Sequence, residues 1–338
     1  MKIAIIGAGI CGLYLAWKLA EKGEEVIVFE KKEKIGKEAC SGLFSERILD
    51  FIPESQKLIQ NKIEYCLIHF PKKTVKIKFF YPVGSRRFSF GAKPFFVMSH
   101  SELDNLVADL AEKAGAKIIL NHSANSLPEG FDRIIGCDGA MSQVRKNLGL
   151  KNPQFHLGIQ GFVKEKNSSD CVETWPTISG FLWKIPRGLE TEYGIIEKPK
   201  RAREIFNEFL RRNNLSPSPA KRDEVGDETK SQRPLERINS ALVPQGLILS
   251  PDPLIALCGD AAGLTKPWSG GGVIWGLLAS NLLLKNFPDF LKYKNIMKKF
   301  FLPKIIFSKI VTKIVYFLGF KIPWIFPKVV KIEGDFLA

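Results

Sequence analysis

Two glycine-rich turns constrain this 338-residue chain more than anything else in it: Gly7-x-Gly9-x-x-Gly12 near the start, and residues 259–276 some 250 positions later. The first follows Lys2–Ile6, an apolar run after one lysine, as expected of a strand buried in a parallel sheet. A helical segment, Leu13–Lys22, comes next and stops at Gly23, and Glu24–Phe29 reads as a second strand closed by Glu30. In such a unit Gly7 permits the tight turn, Gly9 lets a pyrophosphate approach the backbone, and Gly12 lets helix and strand pack closely. Free N–H groups and the dipole at the helix start favour the negative charge. Glu30 lies 21 residues past Gly9, where an acid accepts hydrogen bonds from an adenosine ribose, and Lys31 stands beside it.

The later segments extend this reading. Asp132–Cys137 and Leu254–Cys258 are short apolar strands, each running into small residues and an aspartate: Gly136-Cys137-Asp138-Gly139 with Arg145 beyond, and Gly259-Asp260-Ala261-Ala262-Gly263. Ligands of open α/β sheets bind at such carboxyl ends. Asp260 is suited to ribityl hydroxyls. Pro267 fixes a turn, and Gly270-Gly271-Gly272 open a helix over Val273–Leu284, offering N–H groups to a flavin's pyrimidine edge. A dinucleotide held at both ends by such distant segments is FAD.

These motifs resemble the three FAD segments of the p-hydroxybenzoate-hydroxylase-like flavoprotein superfamily, and within it the chain is most similar to the geranylgeranyl reductase family. Cys40-Ser41-Gly42 resembles that family's Cys-x-Gly segment. Gly259–Gly263, Pro267 and the glycine triplet match its run, and Phe181-Leu182-Trp183-Lys184-Ile185-Pro186 resembles its Tyr-x-Trp-x-Phe-Pro motif, which lines the substrate region. Phe181 and Ile185 depart from the motif's Tyr and Phe, and His100 stands where an arginine often meets the cofactor. Trp183-x-Ile185-Pro186 is also similar to the Trp-x-Ile-Pro of flavin halogenases, without a halogenase-like lysine context near residue 80.

The resemblance implies an α/β protein with a discontinuous Rossmann-like FAD-binding domain (1–60, 97–150 and 236–285), an antiparallel β-sheet substrate domain (61–96 and 151–235) and a basic amphipathic helical tail (286–338). Alternating apolar and polar residues in 61–96 and 155–196 agree with half-buried strands, and Met98–Ala114 and Arg203–Arg212 with helices. Asn213–Arg233, rich in Pro, Ser and charge, reads as a loop. Lys72, Lys73, Lys76, Lys78, Arg86 and Arg87 read as a solvated strand face, with a docking patch for phosphate or an electron donor as the alternative.

The implied activity is saturation of C=C bonds in geranylgeranyl chains of lipids or prenyl diphosphates. Cys40 is expected at the reacting bond, with Trp183, Phe181 and Pro186 on the substrate. Phe95 and Phe96 are further candidate walls. NAD(P)H, ferredoxin or a deazaflavin is the implied electron donor. A flavin monooxygenase (hydroxylase- or epoxidase-like) and a non-catalytic flavin-bearing membrane-associated protein are the alternatives. The four histidines suggest neither a metal site nor a triad, and six cysteines without a Cys-x-x-Cys suggest no zinc or iron–sulfur site.

The formal charge of +15 favours anionic partners, but no nucleic-acid-binding pattern accompanies it. A strand beginning at Lys2 argues against a secretory signal and for a reducing cytoplasmic setting. In the tail, ten lysines face only Asp289, Glu333 and Asp335, a net +7. On a helical wheel over 304–320, Ser308, Lys309, Thr312, Lys313 and Tyr316 gather on one side; Ile306, Phe307, Ile310, Val311, Ile314, Phe317 and Leu318 fill the other. This helix is expected either to lie on the inner face of the membrane or to pack as an ordinary helix against the protein.

Overall fold

Lys2–Ile6 is the central strand of an all-parallel five-stranded sheet, flanked by Glu25–Phe29 and Lys117–Ile119 on one side and by Arg133–Gly136 and Ile255–Leu257 on the other. The computed structural model describes residues 1–80, 94–123, 126–217 and 233–335. In register, Ile6 faces Gly136 and Gly136 faces Leu257. Three strands from distant parts of the chain therefore end at one level. The turns that follow them share one edge of the sheet, which is where ligands of such sheets bind.

Helices cover this sheet. Ile10–Ala20 is buried at every position except Lys18. Its close seat depends on Gly12, where an added Cβ would lie 2.1 Å from the Gly7 carbonyl oxygen. His100–Lys113 packs beside it, its start capped by the Ser99 hydroxyl accepting from the Glu102 N–H. Val273–Asn286 buries Trp275, Leu277, Ala279 and Leu283 in the same core.

The second layer is an eight-stranded sheet. Its order is Ile238–Gln245, Gln154–Val163, Thr191–Glu197, Phe181–Pro186, Cys171–Pro176, Tyr65–Phe70, Lys73–Phe80 and Val329–Glu333. It was expected to be antiparallel. Five of its seven joints are, but Cys171–Pro176 pairs with Tyr65–Phe70 in parallel, and Val329–Glu333 with Lys73–Phe80 likewise. The alternation along Lys73–Phe80 buries Val75 and Ile77. A small antiparallel sheet of Leu43–Ser45, Phe95–Val97 and Asn61–Ile63 stands apart from the larger one.

The tail ends differently from the helical expectation. One long helix, Phe290–Lys321, is followed by a short turn at Pro323–Ile325 and then by the edge strand Val329–Glu333. Arg86 and Arg87, and residues 218–232 of the expected loop, lie outside the described residues.

Candidate functional site

The shared edge of the parallel sheet opens into a cavity of about 560 Å³ lined by Gly7, Gly9, Glu30, Lys31, Asp138 and Gly139. Gly7 has φ +105°, and a Cβ there would meet the Cys137 carbonyl at 2.5 Å. Nothing lies within 4 Å of a Cβ at Gly9, and no side chain caps the helix that starts after it. That start is an open anion seat. Glu30 accepts from the backbone N–H of Ala8 (2.8 Å) and of Lys32 (3.0 Å), which fixes its carboxylate beside the glycine turn. Asp138 accepts from the N–H groups of Gln143 and Val144 through Oδ2, while its buried Oδ1 has no hydrogen-bond partner within the protein. Such an oxygen is costly to bury unless a ligand donates to it. Open anion seat, fixed acid and orphaned acceptor fit the adenosine and pyrophosphate of FAD.

Gly9, Gly139 and Asp260 also line a second cavity of about 590 Å³, so the two adjoin. Its near end is formed by Cys40, His100, Trp183, Ser269, Gly270, Gly271 and Gly272. Gly270 takes φ +67°, as the turn before the helix requires. Asp260 pairs with Lys37 at 3.1 Å, which ties the third glycine segment to the loop that carries Cys40. The carboxylate raises the Lys37 ammonium well above the usual lysine value.

Cys40 and its surroundings form a charged nest inside this apolar space. Burial pushes the thiol up, but the charges of His100 and Lys37 and the Gly42 N–H outweigh it and bring it down to about 7. The His100 ring faces Asp104, Nε2 to Oδ1 3.3 Å, and both residues are almost fully buried. Burial opposes the ring's charge, yet Asp104 and Cys40 together raise it to about 10. Arg187 donates to the carbonyls of Ser41 and Met98 and to Glu192 Oε2, clamping the Cys40 loop against the small sheet. Glu192 in turn accepts from the Trp183 indole at 2.8 Å, which fixes that ring as a wall. Burial raises Glu192 to about 8 against the pull of Arg187.

The far end of the cavity is apolar and is built partly by the tail. Phe70, Val75, Ile77 and Phe79 supply one side; Val311, Val315, Phe326, Val330 and Ile332 supply the other. Phe70 stacks on Phe326 (5.6 Å, 5° between planes) and meets Phe320 edge-on. Gly319 is the gap that admits Phe70, since a Cβ there would lie 2.0 Å from the ring. The tail's last described residue, Asp335, is fully buried and holds Ser45 (2.6 Å) and Lys266 (2.9 Å), while its backbone oxygen accepts from the Trp275 indole. The tail thus closes back onto the glycine-triplet turn.

The tail helix packs through Phe290, Tyr293, Met297, Phe301 and Ile305 in its first half, and in its second half sets hydroxyls beside Val311 and Val315 on the cavity. Ser308, Thr312 and Tyr316 line the cavity, whereas Ile306, Phe307, Ile310, Ile314 and Phe317 are between 51 and 62 % exposed. The inward hydroxyls cost little because each is satisfied: Ser308 donates to Ile305 O, Thr312 to Ser308 O and Tyr316 to Gly180 O.

Four expected site residues stand elsewhere. Arg145 lines neither cavity; its fully buried guanidinium holds the Ala261 and Ala140 carbonyls and Asn152, so it braces the second glycine segment against the third. Pro267 and Gly259 also lie behind the cavity surface, Pro267 accepting from Gln245 and Gly259 making room for Cys11. Pro186 ends its strand opposite Thr191, and its carbonyl accepts from Asn61. Phe181, Trp183 and Phe95 are on the cavity as expected; Phe96 is not, because successive strand residues point to opposite faces. His100 faces Asp104 on its own helix, Nε2 to Oδ1 3.3 Å, and lines the same cavity as Cys40. One signal was available: Ser99 and Glu102 mark a helix start, and His100 and Asp104 share a face of that helix at i, i+4.

Residues 5–51 match the family model of the NAD(P)-binding Rossmann-like domain. The digeranylgeranylglycerophospholipid reductase 1 of Methanosphaera stadtmanae is 26% identical over 312 residues, which covers 82% of this chain and 72% of that protein. The crystal structure of a geranylgeranyl bacteriochlorophyll reductase-like protein from Thermoplasma acidophilum superposes with a TM-score of 0.73 at 19% identity, covering 92% of this chain and 86% of that one. A tryptophan 6-halogenase from Streptomyces toxytricini shares the fold with a TM-score of 0.67 at 13% identity, covering 94% of this chain and 79% of its own. Motif register and fold thus agree with what the chain is similar to, flavoprotein folds and proteins named as reductases of geranylgeranyl lipids.

Proposed function

We propose that the protein is an FAD-dependent reductase that saturates isolated C=C bonds in geranylgeranyl chains of lipids. The observation that carries this reading is the continuity of the site. Past Cys40 and Trp183, the nucleotide cavity adjoins an apolar slot suited to a prenyl chain. Gly7, Gly9 and the Ile10–Ala20 helix start hold the pyrophosphate, Glu30 the ribose, Asp260 the ribityl chain, and Gly270–Gly272 the pyrimidine edge. Reduced FAD, when bound, supplies the hydride.

The chain's own residues then have three tasks. Apolar walls exclude water and hold the alkene in place. Trp183, locked by Glu192, fixes the plane in which the alkene lies. Cys40 Sγ, held by the Arg187 clamp on Ser41, carries the proton for the second carbon.

The substrate's origin gives the outward face of the tail a role. Among the described residues no helix is long and apolar enough to cross a membrane. Ile306, Phe307, Ile310, Ile314, Phe317 and Trp324 instead form an exposed apolar stripe, with the exposed Lys313, Lys321 and Lys328 beside it. Such a helix lies in the interface, its apolar side in the acyl boundary and its lysines at anionic headgroups. The same helix lines the slot on its other face, so docking brings the slot to the bilayer that stores the lipid.

Expression in a host that makes an unsaturated geranylgeranyl lipid, followed by mass spectrometry of the lipid extract, tests the function. Saturated products with the wild type and about a hundredfold less with Cys40→Ala are expected. Unchanged lipids with a well-expressed, flavin-loaded wild type contradict the reading.

A further inference from the structure

We propose that Lys266, oriented by Asp335 from the tail, holds a positive charge at the pyrimidine edge of the bound flavin and thereby favours the reduced cofactor over the oxidised one. This rests on the reading that Gly270–Gly272 meet that edge. Lys266 acts on the charge of the cofactor and takes no part in moving hydrogen to the alkene.

The turn fixes where the side chain starts. The Lys266 N–H donates to the Gly271 carbonyl at 3.1 Å, and the Gly270 N–H donates to the Lys266 carbonyl at 2.8 Å. The side chain then folds over the same turn. A Cβ at Gly271 would lie 3.1 Å from Lys266 Cε and 3.6 Å from Nζ, so the ammonium stands against the bare face of the middle glycine. The Trp268 ring lies beside it, its centroid 5.8 Å from Nζ.

The counter-ion comes from 69 positions further along the chain. Asp335 Oδ1 accepts from Lys266 Nζ at 2.9 Å, while Oδ2 accepts from the Ser45 hydroxyl at 2.6 Å and faces Arg47 Nε at 3.4 Å. The Asp335 backbone is held as well, its oxygen by the Trp275 indole and its N–H by Glu333. Lys266 and Asp335 are both buried.

A buried ion pair adds little to stability, because the cost of taking two charges out of water offsets their attraction. The orientation of this one gives it a use. Lys266 lines the cavity together with Ser269 and the three glycines, whereas Asp335 lies behind that surface. The pair therefore turns its positive end to the cavity. The cluster of Lys266, Arg47, Asp335 and Glu333 sums to zero, so the field at the turn depends on which charge stands nearest. Glu333 also reaches the cavity, but its carboxylate is turned to Arg47 and to the Asp335 N–H, and it is Lys266 that stands against Gly271. The ammonium adds to the N–H groups and dipole at the start of the Val273–Asn286 helix. Reduction places negative charge on the pyrimidine side of a flavin, and a fixed cation in a water-poor site stabilises it.

The test is an anaerobic redox titration of the flavin-loaded, full-length protein against reference dyes. Lys266→Met removes the charge and keeps the length of the side chain. At a fixed potential it should lower the ratio of reduced to oxidised flavin about tenfold, a fall of about 30 mV in the midpoint of a two-electron couple. Asp335→Asn leaves the ammonium without its counter-ion and should move the midpoint the opposite way. A pair that served packing alone would lower stability in both variants and shift the midpoint in neither. Midpoints that stay put, or that move in the same direction in both variants, overturn the proposal. If a single variant loses FAD because its partner is left buried and unpaired, the double variant Lys266→Met with Asp335→Asn decides, since its pair is neutral. A lower midpoint there supports the proposal and the wild-type midpoint overturns it. The assay involves no lipid. Unmoved midpoints in an enzyme that reduces lipid sink this inference alone. Opposite shifts in a protein that reduces no lipid sink the reductase reading and leave the role of Lys266 standing.

Discussion

The nucleotide end and the apolar end of the cavity, the latter the proposed lipid slot, are built by different means. At the nucleotide end the backbone does the work. Gly7, Gly9 and Gly12 are fixed by what a Cβ would strike or leave open, and the ligand seat is a row of N–H groups. At the lipid end side chains do the work, drawn from the Tyr65–Phe70 and Lys73–Phe80 strands, the tail helix and the last strand. A backbone seat tolerates almost no change at its contact glycines, whereas a side-chain wall tolerates exchange of one apolar group for another. On the proposed function, the first fixes the cofactor and the second is free to tune the substrate.

The largest effect expected from this contrast is at Gly12. Gly12→Ala forces a Cβ against the Gly7 carbonyl, and overpacking against backbone should cost about 3 kcal/mol or more. Thermal unfolding should show a large loss of stability and the purified protein should be colourless; a yellow, stable Gly12→Ala protein breaks the claim.

On the lipid side, Ile310→Ser with Phe317→Ser removes two exposed apolar groups, worth about 3 kcal/mol of partitioning, or about a hundredfold in vesicle binding. Unfolding should stay within about 0.5 kcal/mol of wild type, since both side chains are exposed. Equal sedimentation with anionic vesicles before and after would remove the docking claim. Deleting the tail is the wrong experiment, because Asp335 anchors Ser45 and Lys266 in the core.

Where the two ends meet, Cys40→Ala should retain bound FAD and lower lipid reduction about a hundredfold, the usual scale for losing a positioned proton donor. Full turnover would return Cys40 to a packing role. The smallest effect sharpens the contrast from the other side. Gly9→Ala meets no protein atom, so stability should hold within about 0.5 kcal/mol while FAD affinity falls about tenfold. Unchanged affinity in a titration would mean that the pyrophosphate does not lie against Gly9.

The same contrast explains what was legible in the sequence. The place of the glycine turns, Glu30 and Asp260 at the sheet edge was readable because it follows from a local spacing after a strand. Arg145 was misplaced because its motif position reveals proximity to the cofactor segments and not direction; only the fold shows its guanidinium turned to Ala261 and Asn152. The tail helix was readable as amphipathic, but a wheel cannot say which side meets the protein. Ser308 and Thr312 can face inward because their own helix satisfies their hydroxyls on either side, and Tyr316 alone reaches across, to the Gly180 carbonyl. The return of Val329–Glu333 to the large sheet depends on a pairing across about 250 residues, which leaves no local trace. His100 was read only as a missing arginine. Its place beside the Cys40 loop becomes visible only in the fold, where Asp104 faces the His100 ring and accepts from the Lys37 backbone N–H, 67 positions earlier in the chain.

The central claim is that the flavin seat and the prenyl slot are one reaction site, and a single anaerobic turnover tests it most directly. The flavoprotein is photoreduced without oxygen and mixed with vesicles of an unsaturated geranylgeranyl glycerophospholipid, and flavin absorbance and lipid mass are followed in the same sample. The account predicts that the yellow oxidised spectrum returns as the lipid gains two hydrogens for each flavin reoxidised. A flavin that stays reduced beside unaltered lipid, yet reoxidises at once when oxygen is admitted, would contradict it.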